Sequence, residues 1–425
     1  MTGLLVIIFI VGYGAIAFEN YLKVNKTAPA LLAGVLCWTV YILFSDNKEE
    51  VTGQLMENLG DFSGILFFLM GAMTIVEIID THDGFDIITQ RITQRDKRKL
   101  LWIIAGITFF LSPVLDNLTT AIVMVSLLQK IITDSKERLY FVGIIVIAAN
   151  AGGAWSPIGD VTTTMLWMGG QITAGNIIKQ LFLPSIISLV VPLILISPKI
   201  KGTLATVKVA PSNEGPRLSN MQKSIILTSG ILVLLLVPVF KTLTHLPPYM
   251  GILIGLAIMW VITEKMDGGR EENERFNLSP AYALRKIDTP SILFFLGILL
   301  SIAALERTGI LSTLATIIDR WIHNENAIAI TLGLLSSVVD NVPLMAASQA
   351  MYPLSQYPVD HSLWEFLAYS TGTGGSILII GSAAGVAVMG MAKVDFFWYL
   401  RNITWVALIG YLSGSLVHII LQEIF

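Results

Sequence analysis

Apolar residues run along this chain in long blocks, and the blocks have the length of a bilayer. A membrane-crossing helix needs about 20 mostly apolar residues. Ten segments fit, at approximately 3–19, 28–45, 61–80, 141–168, 180–198, 224–243, 249–265, 288–307, 363–391 and 396–421. The first carries no basic n-region and no small-residue cleavage site, so it reads as a retained span and not as a removed signal.

Two further apolar stretches, 101–130 and 327–354, are too long for one ordinary helix and too short for two complete spans. Each has a polar break in its middle. The first reads Ser112-Pro113-Val114-Leu115-Asp116-Asn117, the second Ser336-Ser337-Val338-Val339-Asp340-Asn341-Val342-Pro343. An arm of about 14 residues rises only ~21 Å, short of a core of about 30 Å. Two short arms meeting at a polar tip predict a re-entrant hairpin. Such backbone is tolerated at membrane depth only inside protein or beside a water-filled cavity.

Charge placement sets the sidedness. Arg91, Arg95, Lys97, Arg98 and Lys99 precede the first hairpin, and Lys130, Lys136 and Arg138 follow it, which makes both flanks cytoplasmic. The second hairpin has only Arg307 and Arg320 before it and enters from outside. In this topology the external segments hold Lys48, Lys179, Lys241, Arg307 and Arg320, while Arg401 falls in the last span. Both termini are external.

The halves resemble each other. Asp61-Phe62-Ser63-Gly64-Ile65-Leu66-Phe67-Phe68-Leu69 matches Asp288-Thr289-Pro290-Ser291-Ile292-Leu293-Phe294-Phe295-Leu296, and Asp116-Asn117 matches Asp340-Asn341. Gly152-Gly153 with Gly159 matches Gly374-Gly375 with Gly381. The first repeat is 1–198: three spans, hairpin 101–130, broken span 141–168 and span 180–198. A basic cytoplasmic linker, 199–223, follows. The second repeat is 224–425: three spans, hairpin 327–354, broken span 363–391 and span 396–421. An odd number of crossings per half turns the second copy upside down. The fold expected is an all-α polytopic membrane protein, an inverted-repeat transporter with about ten spans, two re-entrant helical hairpins and two broken transmembrane helices. Such architectures place the substrate site near the midplane, where the broken elements meet.

Composition sharpens this reading. Charged residues are 13% of the 425, about half of the roughly 25% usual in globular chains, and mean hydropathy is +0.73. A net charge of −3 excludes a basic nucleic-acid binder, and a single cysteine, Cys37, excludes internal disulfides and cysteine-built metal sites.

The scarce polar groups gather at the breaks. Asp116 and Asp340 sit at the hairpin tips beside Asn117 and Asn341, and Asp160 sits in the first broken span. An unpaired carboxylate at membrane depth costs at least ~2.5–3.5 kcal/mol. Each therefore calls for a cation, a proton or a wet cavity, and no basic residue is evident as their partner. A carboxylate that holds either a proton or a metal ion couples the two movements by competition. Oxygen donors without His or Cys favour small hard cations. Supporting positions are Ser112, Thr119, Thr120, Asn150, Gly152, Gly153, Ser156 and Thr162 in the first half, and Ser336, Thr373, Gly374, Gly375, Ser376 and Ser382 in the second. The glycines and Pro157 are expected to unwind the helix in mid-span. Glu77, Asp80 and His82 close the third span, as an interfacial cap or as groups for ion access or pH sensing. Glu306 and Arg307 close the matching span and are expected to pair with each other.

Several stretches carry a family resemblance: Ile8-Phe9-Ile10-Val11-Gly12-Tyr13, Asn25-Lys26 through Trp38, Ser112-Pro113 through Asp116-Asn117, Gly152-Gly153 through Asp160, and Ser336 through Asp340-Asn341. Over essentially its whole length the chain resembles NhaD-type sodium/proton antiporters, of the ion transporter superfamily that also holds dicarboxylate, citrate and arsenite carriers. The resemblance implies exchange of sodium or lithium for protons in a bacterial cytoplasmic membrane. It also implies a multi-pass homodimer in the lipid bilayer, with no cofactor, no nucleic acid and no enzymatic activity. Sodium is expected at Asp116, Asn117, Asp160, Asp340 and Asn341. The alternative is a sodium-coupled dicarboxylate or other anion carrier. Such carriers typically present Ser-Asn-Thr at the tips; here aspartate takes the serine position twice, and the second copy continues Val342-Pro343. An intramembrane hydrolase built on Gly374-Gly375-Ser376 or Gly159-Asp160 lacks a matched base or a second acidic motif.

Overall fold

The long apolar blocks fold as helices, and among the described residues no strand forms beyond one isolated bridge, Asp96 with Thr203. The computed structural model describes residues 1–17, 22–89, 94–132, 134–204, 218–322 and 324–424. Arg91, Lys208, Arg217 and the linker core 211–216 lie outside them.

The first half holds α1 (Thr2–Ala17), α2 (Thr27–Leu43), α3 (Lys48–Thr81), α4 (Asp86–Thr89), α5 (Lys97–Leu115), α6 (Asn117–Ile131), α7 (Ser135–Ala154), α8 (Val161–Met168) and α9 (Ala174–Ile196). The second holds α10 (Asn220–Thr244), α11 (Pro248–Asp267), α12 (Glu272–Leu278), α13 (Pro280–Lys286), α14 (Thr289–Arg307), α15 (Ile310–Trp321) and α16 (Glu325–Leu335). It continues with α17 (Asn341–Met351), α18 (Ser362–Gly374), α19 (Ala383–Ala392), α20 (Phe396–Asn402) and α21 (Thr404–Ile424). Among the described residues eight helices are long and apolar enough to cross a membrane, or nine if the bent pair α19–α20 counts as one span. The protein is therefore an all-α polytopic membrane protein.

Several boundaries differ from the expected ones, each for a local reason. α3 begins at Lys48, because Asn47 caps it by accepting from the Glu50 N–H at 3.2 Å, so residues expected as a loop are helical. α5 begins at Lys97, where Asp96 accepts from the Lys99 N–H at 2.9 Å. At 19 residues it is long enough to cross, unlike the short arm expected there. The arms around Asp340 are 11 residues each. In the first broken span the helix runs on through Gly152 and Gly153 to Ala154, and the break lies at 155–160. Pro157 lacks an N–H and disfavours helix before it, so the proline and not the glycine pair interrupts the helix. In the second broken span the break lies at 375–382.

Packing separates two groups of helices. α2 lies along α14, with α1, α3, α10 and α11 beside them. The crossing of α2 and α14 is backbone on backbone: a Cβ on Gly297 would press on the Ala30 carbonyl carbon, and one on Gly34 on the Gly297 oxygen. In the other group α9 lies along α21, α5 and α6 against α7, and α16 against α18. The breaks and tips face the seam between the groups, where α14 meets α17 and α3 meets α8.

Candidate functional site

Four helices begin at the breaks, and each first turn is capped by a side chain singled out by the sequence. Asp116 precedes α6 and accepts from the Thr119 N–H at 2.8 Å and the Thr119 hydroxyl at 2.9 Å. Asp160 precedes α8 and accepts from the Thr162 N–H at 3.3 Å. Asp340 precedes α17 and accepts from the Val342 N–H at 3.4 Å. Ser382 precedes α19 and accepts from the Gly385 N–H at 3.1 Å. Helix N-termini carry partial positive charge and unpaired N–H groups, so an Asp or Ser there satisfies donors and is itself stabilised. Asp116 adopts a φ of +71°, a left-handed conformation uncommon outside glycine, asparagine and aspartate. That conformation turns the chain directly from α5 into α6.

Amides join the caps Asp160 and Ser382, and reach Asp160 from Asn117 and Asn341, the residues next to the other two caps. Buried Asp160 accepts from the Asn117 amide at 3.0 Å and from the Asn341 amide at 3.2 Å. Asn117 also donates to the Asn150 carbonyl oxygen at 3.1 Å, and Asn150 donates to the Ser382 hydroxyl at 3.1 Å. Thus Asp160 ties the start of α6 to the start of α17. The three aspartates, Asn117, Asn341, Phe68 and Lys26 help line a cavity of about 50 Å³.

Lys26 corrects the expectation of unpartnered carboxylates. Its Nζ lies 2.7 Å from Asp340 Oδ2 and 4.3 Å from the centre of the Phe294 ring. Sequence separation hid this contact, since the partners stand 314 positions apart. The one available signal was a lysine immediately before a span. Asp340 thus has a cation supplied by the protein, Asp116 is bonded to Thr119, and Asp160 is held by two amides and a helix N-terminus. Among the described residues no three His, Cys, Asp or Glu side chains stand close enough to hold one metal ion together.

A family model described as "Citrate transporter" matches residues 4–372. Sodium/proton antiporter 1 of Arabidopsis thaliana is 47% identical over 427 residues, covering 98% of this chain and 72% of its own. Sodium/proton antiporter 2 of the same plant is also 47% identical, over 97% of this chain and 98% of its own. Na(+)/H(+) antiporter NhaD of Vibrio cholerae is 32% identical, over 98% and 91% respectively. The chain belongs to the NhaD-type sodium/proton antiporter family. The relatives come from a plant and a bacterium, so the likeness carries a membrane location but no bacterial address.

Within this antiporter-family chain the supporting positions divide by role. Ser112 donates to the Ala149 carbonyl at 2.6 Å, and Ser336 donates to the Thr371 carbonyl at 2.7 Å. Ser112 thereby ties α5 to α7, and Ser336 ties the end of α16 to α18. Ser156 donates to the Pro113 carbonyl at 2.7 Å. Thr373 donates to Tyr369 O within α18, and Ser376, just past the end of that helix, donates to Thr373 O. Gly152 and Gly374 permit close helix contact: a Cβ on Gly152 would meet the Phe109 oxygen, and one on Gly374 the Gly333 oxygen. Gly153 lies against Gly159, and Gly375 against Gly381. The hydroxyls of Thr120 and Thr162 are buried with no hydrogen-bond partner among the described residues.

Glu77, Asp80 and His82 do not line this cavity. Glu77 pairs with Lys286 at 3.4 Å. The buried His82 ring has Nδ1 at 2.8 Å from Ile78 O and Nε2 at 3.1 Å from Asp267 Oδ2, while Asp267 also binds Arg270 at 2.9 Å. Sequence reasoning missed Asp267 and Arg270, which meet His82 only through tertiary packing. Arg307 pairs with Glu57 at 2.7 Å, a different partner from the adjacent Glu306 expected for it.

Two larger cavities flank the small one. One of about 630 Å³ is lined by Asn58, Asp61, Tyr249, Glu306 and Gln349. The other, about 210 Å³, is lined by Asn25, Lys26, Asp288, Ser291 and Val386. Asn58 and Asp61 lie in the first half of α3, and Glu306 near the end of α14. Asn25 precedes α2, and Asp288 precedes α14. The two cavities therefore open towards opposite ends of the bundle.

Proposed function

We propose that this protein exchanges sodium or lithium for protons across a membrane by alternating access, with carboxylates that bind either ion. The observation that carries the reading is the junction at Asp160: an acidic group joined to both hairpin tips, between cavities that open to opposite ends. A cation displacing a proton there would act on both tips at once. The names of the relatives support sodium and protons as the exchanged pair.

In this reading Asp116, Asp160, Asp340, Asn117 and Asn341 handle the ions, and the two halves form an inverted repeat. The matched serine ties at Ser112 and Ser336 support that pairing. The 210 Å³ cavity faces the cytoplasm and the 630 Å³ cavity faces outside. The group containing α2 and α14 is a scaffold, the group containing both hairpins moves against it, and the working unit is a homodimer.

The test uses inverted membrane vesicles with an imposed pH gradient. Sodium or lithium is expected to collapse the gradient with the parent protein, and Asp116→Asn or Asp340→Asn to abolish the response. Parent-like exchange in both variants would remove these residues from the ion site.

A second reading, a sodium-coupled anion carrier, draws on the family model's description and on the presence of Lys26 in the cavity. Three carboxylates against one ammonium argue against an anionic substrate. Uptake of labelled citrate or succinate by proteoliposomes would favour it.

A further inference from the structure

Lys26 occupies a position that ion exchange leaves unexplained. It stands at the start of α2, in the group that holds α14, whereas Asp340 stands at a hairpin tip on the far side of the seam. Their 2.7 Å contact bridges the two groups. Lys26 also lines both the small cavity with the aspartates and the 210 Å³ cavity beside it.

We propose that Lys26 is a built-in competitor for the transported cation at Asp340, and that its ammonium closes the passage between these two cavities. This deepens the exchange reading above and rests on it.

The argument is one of charge and reach. A carboxylate contacted by an ammonium at 2.7 Å offers that oxygen to a metal ion only when the ammonium withdraws. An ammonium on a flexible four-carbon stem makes point contacts and exchanges partners readily. The second cavity supplies a destination, because Asp288, which accepts from the Ser291 N–H at 3.2 Å, lines it together with Lys26. Movement of Lys26 towards Asp288 would uncover Asp340 and open the route from that side. It would also release the bridge from α2 to the hairpin. Cation binding and loosening of the seam would then be one event. Between turnovers the ammonium would limit the charge left exposed in the cavity.

Competition reduces apparent affinity by the fraction of molecules in which the site is free. Removing the competitor therefore tightens apparent sodium binding, and strengthening it does the reverse. Arginine presents a planar, always-charged fork suited to a carboxylate. In proteoliposomes titrated with sodium chloride, Lys26→Met is expected to lower the half-saturating sodium concentration by about threefold or more. Lys26→Arg is expected to raise it by about the same factor. A purely structural lysine would move both variants the same way. Unchanged half-saturation in both, or shifts in one common direction, would overturn the proposal. If Lys26→Met cannot be purified folded, Lys26→Arg alone decides by rising or failing to rise. A parent protein without sodium-dependent exchange overturns the function proposed above and this inference with it. An active parent with indifferent variants overturns this inference alone.

Discussion

At the residue scale the centre of the site is an acidic side chain whose bonds all come from neutral donors. Asp160 is buried and accepts from two asparagine amides and one backbone N–H. Removing one donor leaves part of a buried acceptor unsatisfied, at about 1–3 kcal/mol. Asn117→Ala is therefore expected to lower the thermal unfolding temperature in detergent, and to weaken exchange more than it weakens folding. Unfolding temperature and vesicle exchange, measured on the same preparation, separate the two effects. Asp116→Asn should fold normally, because asparagine tolerates the +71° φ and can keep the cap with Thr119. Normal folding with lost exchange would mark the negative charge, and not the turn, as the functional property.

At the element scale the breaks work because helices come close enough for backbone to touch backbone. α18 approaches α16 where Gly374 faces Gly333. A methyl group there has no space, and overpacking costs typically about 1–3 kcal/mol. Gly374→Ala is expected to reduce stability and exchange together, while Gly390→Ala, in open space, should be neutral in the same melting assay. The contrast tests whether Gly374 serves helix contact, since the helix runs unbroken up to it and the break begins at Gly375. Much of the element layout was legible in advance. The block from 288 to 307 emerges as Thr289–Arg307, and that from 249 to 265 as Pro248–Asp267. Helix starts governed by one polar cap were harder to place, as Asn47 and Asp96 illustrate, because a cap extends a helix beyond its apolar block.

For the whole molecule, a carboxylate site shared by protons and sodium imposes linkage between them. Each proton that must leave before sodium binds makes apparent sodium affinity rise with pH, by up to about tenfold per unit for one-for-one competition. The half-saturating sodium concentration is therefore expected to fall as pH rises. A titration at several pH values in proteoliposomes measures this, and a flat profile would mean that the two ions do not share a site. The seam between the helix groups is crossed by Lys26 and Asp340, so the same titration in Lys26→Met reports whether that bridge belongs to the ion cycle.

The order of apolar blocks, their polar interruptions and the scarcity of charge determined a polytopic helical membrane protein and singled out Asp116, Asp160 and Asp340 as its candidate ion-handling residues. Those properties are local or additive along the chain, so they can be read without coordinates. Tertiary structure alone decided what each carboxylate meets. Asp160 meets two asparagines, one of them 181 residues away, and Asp340 meets a lysine from the first helices. In a low-dielectric interior a charge is governed by its nearest few neighbours, and those neighbours are chosen by packing across the seam. The acidic residues could be named from the sequence, but not the cation that one of them already holds.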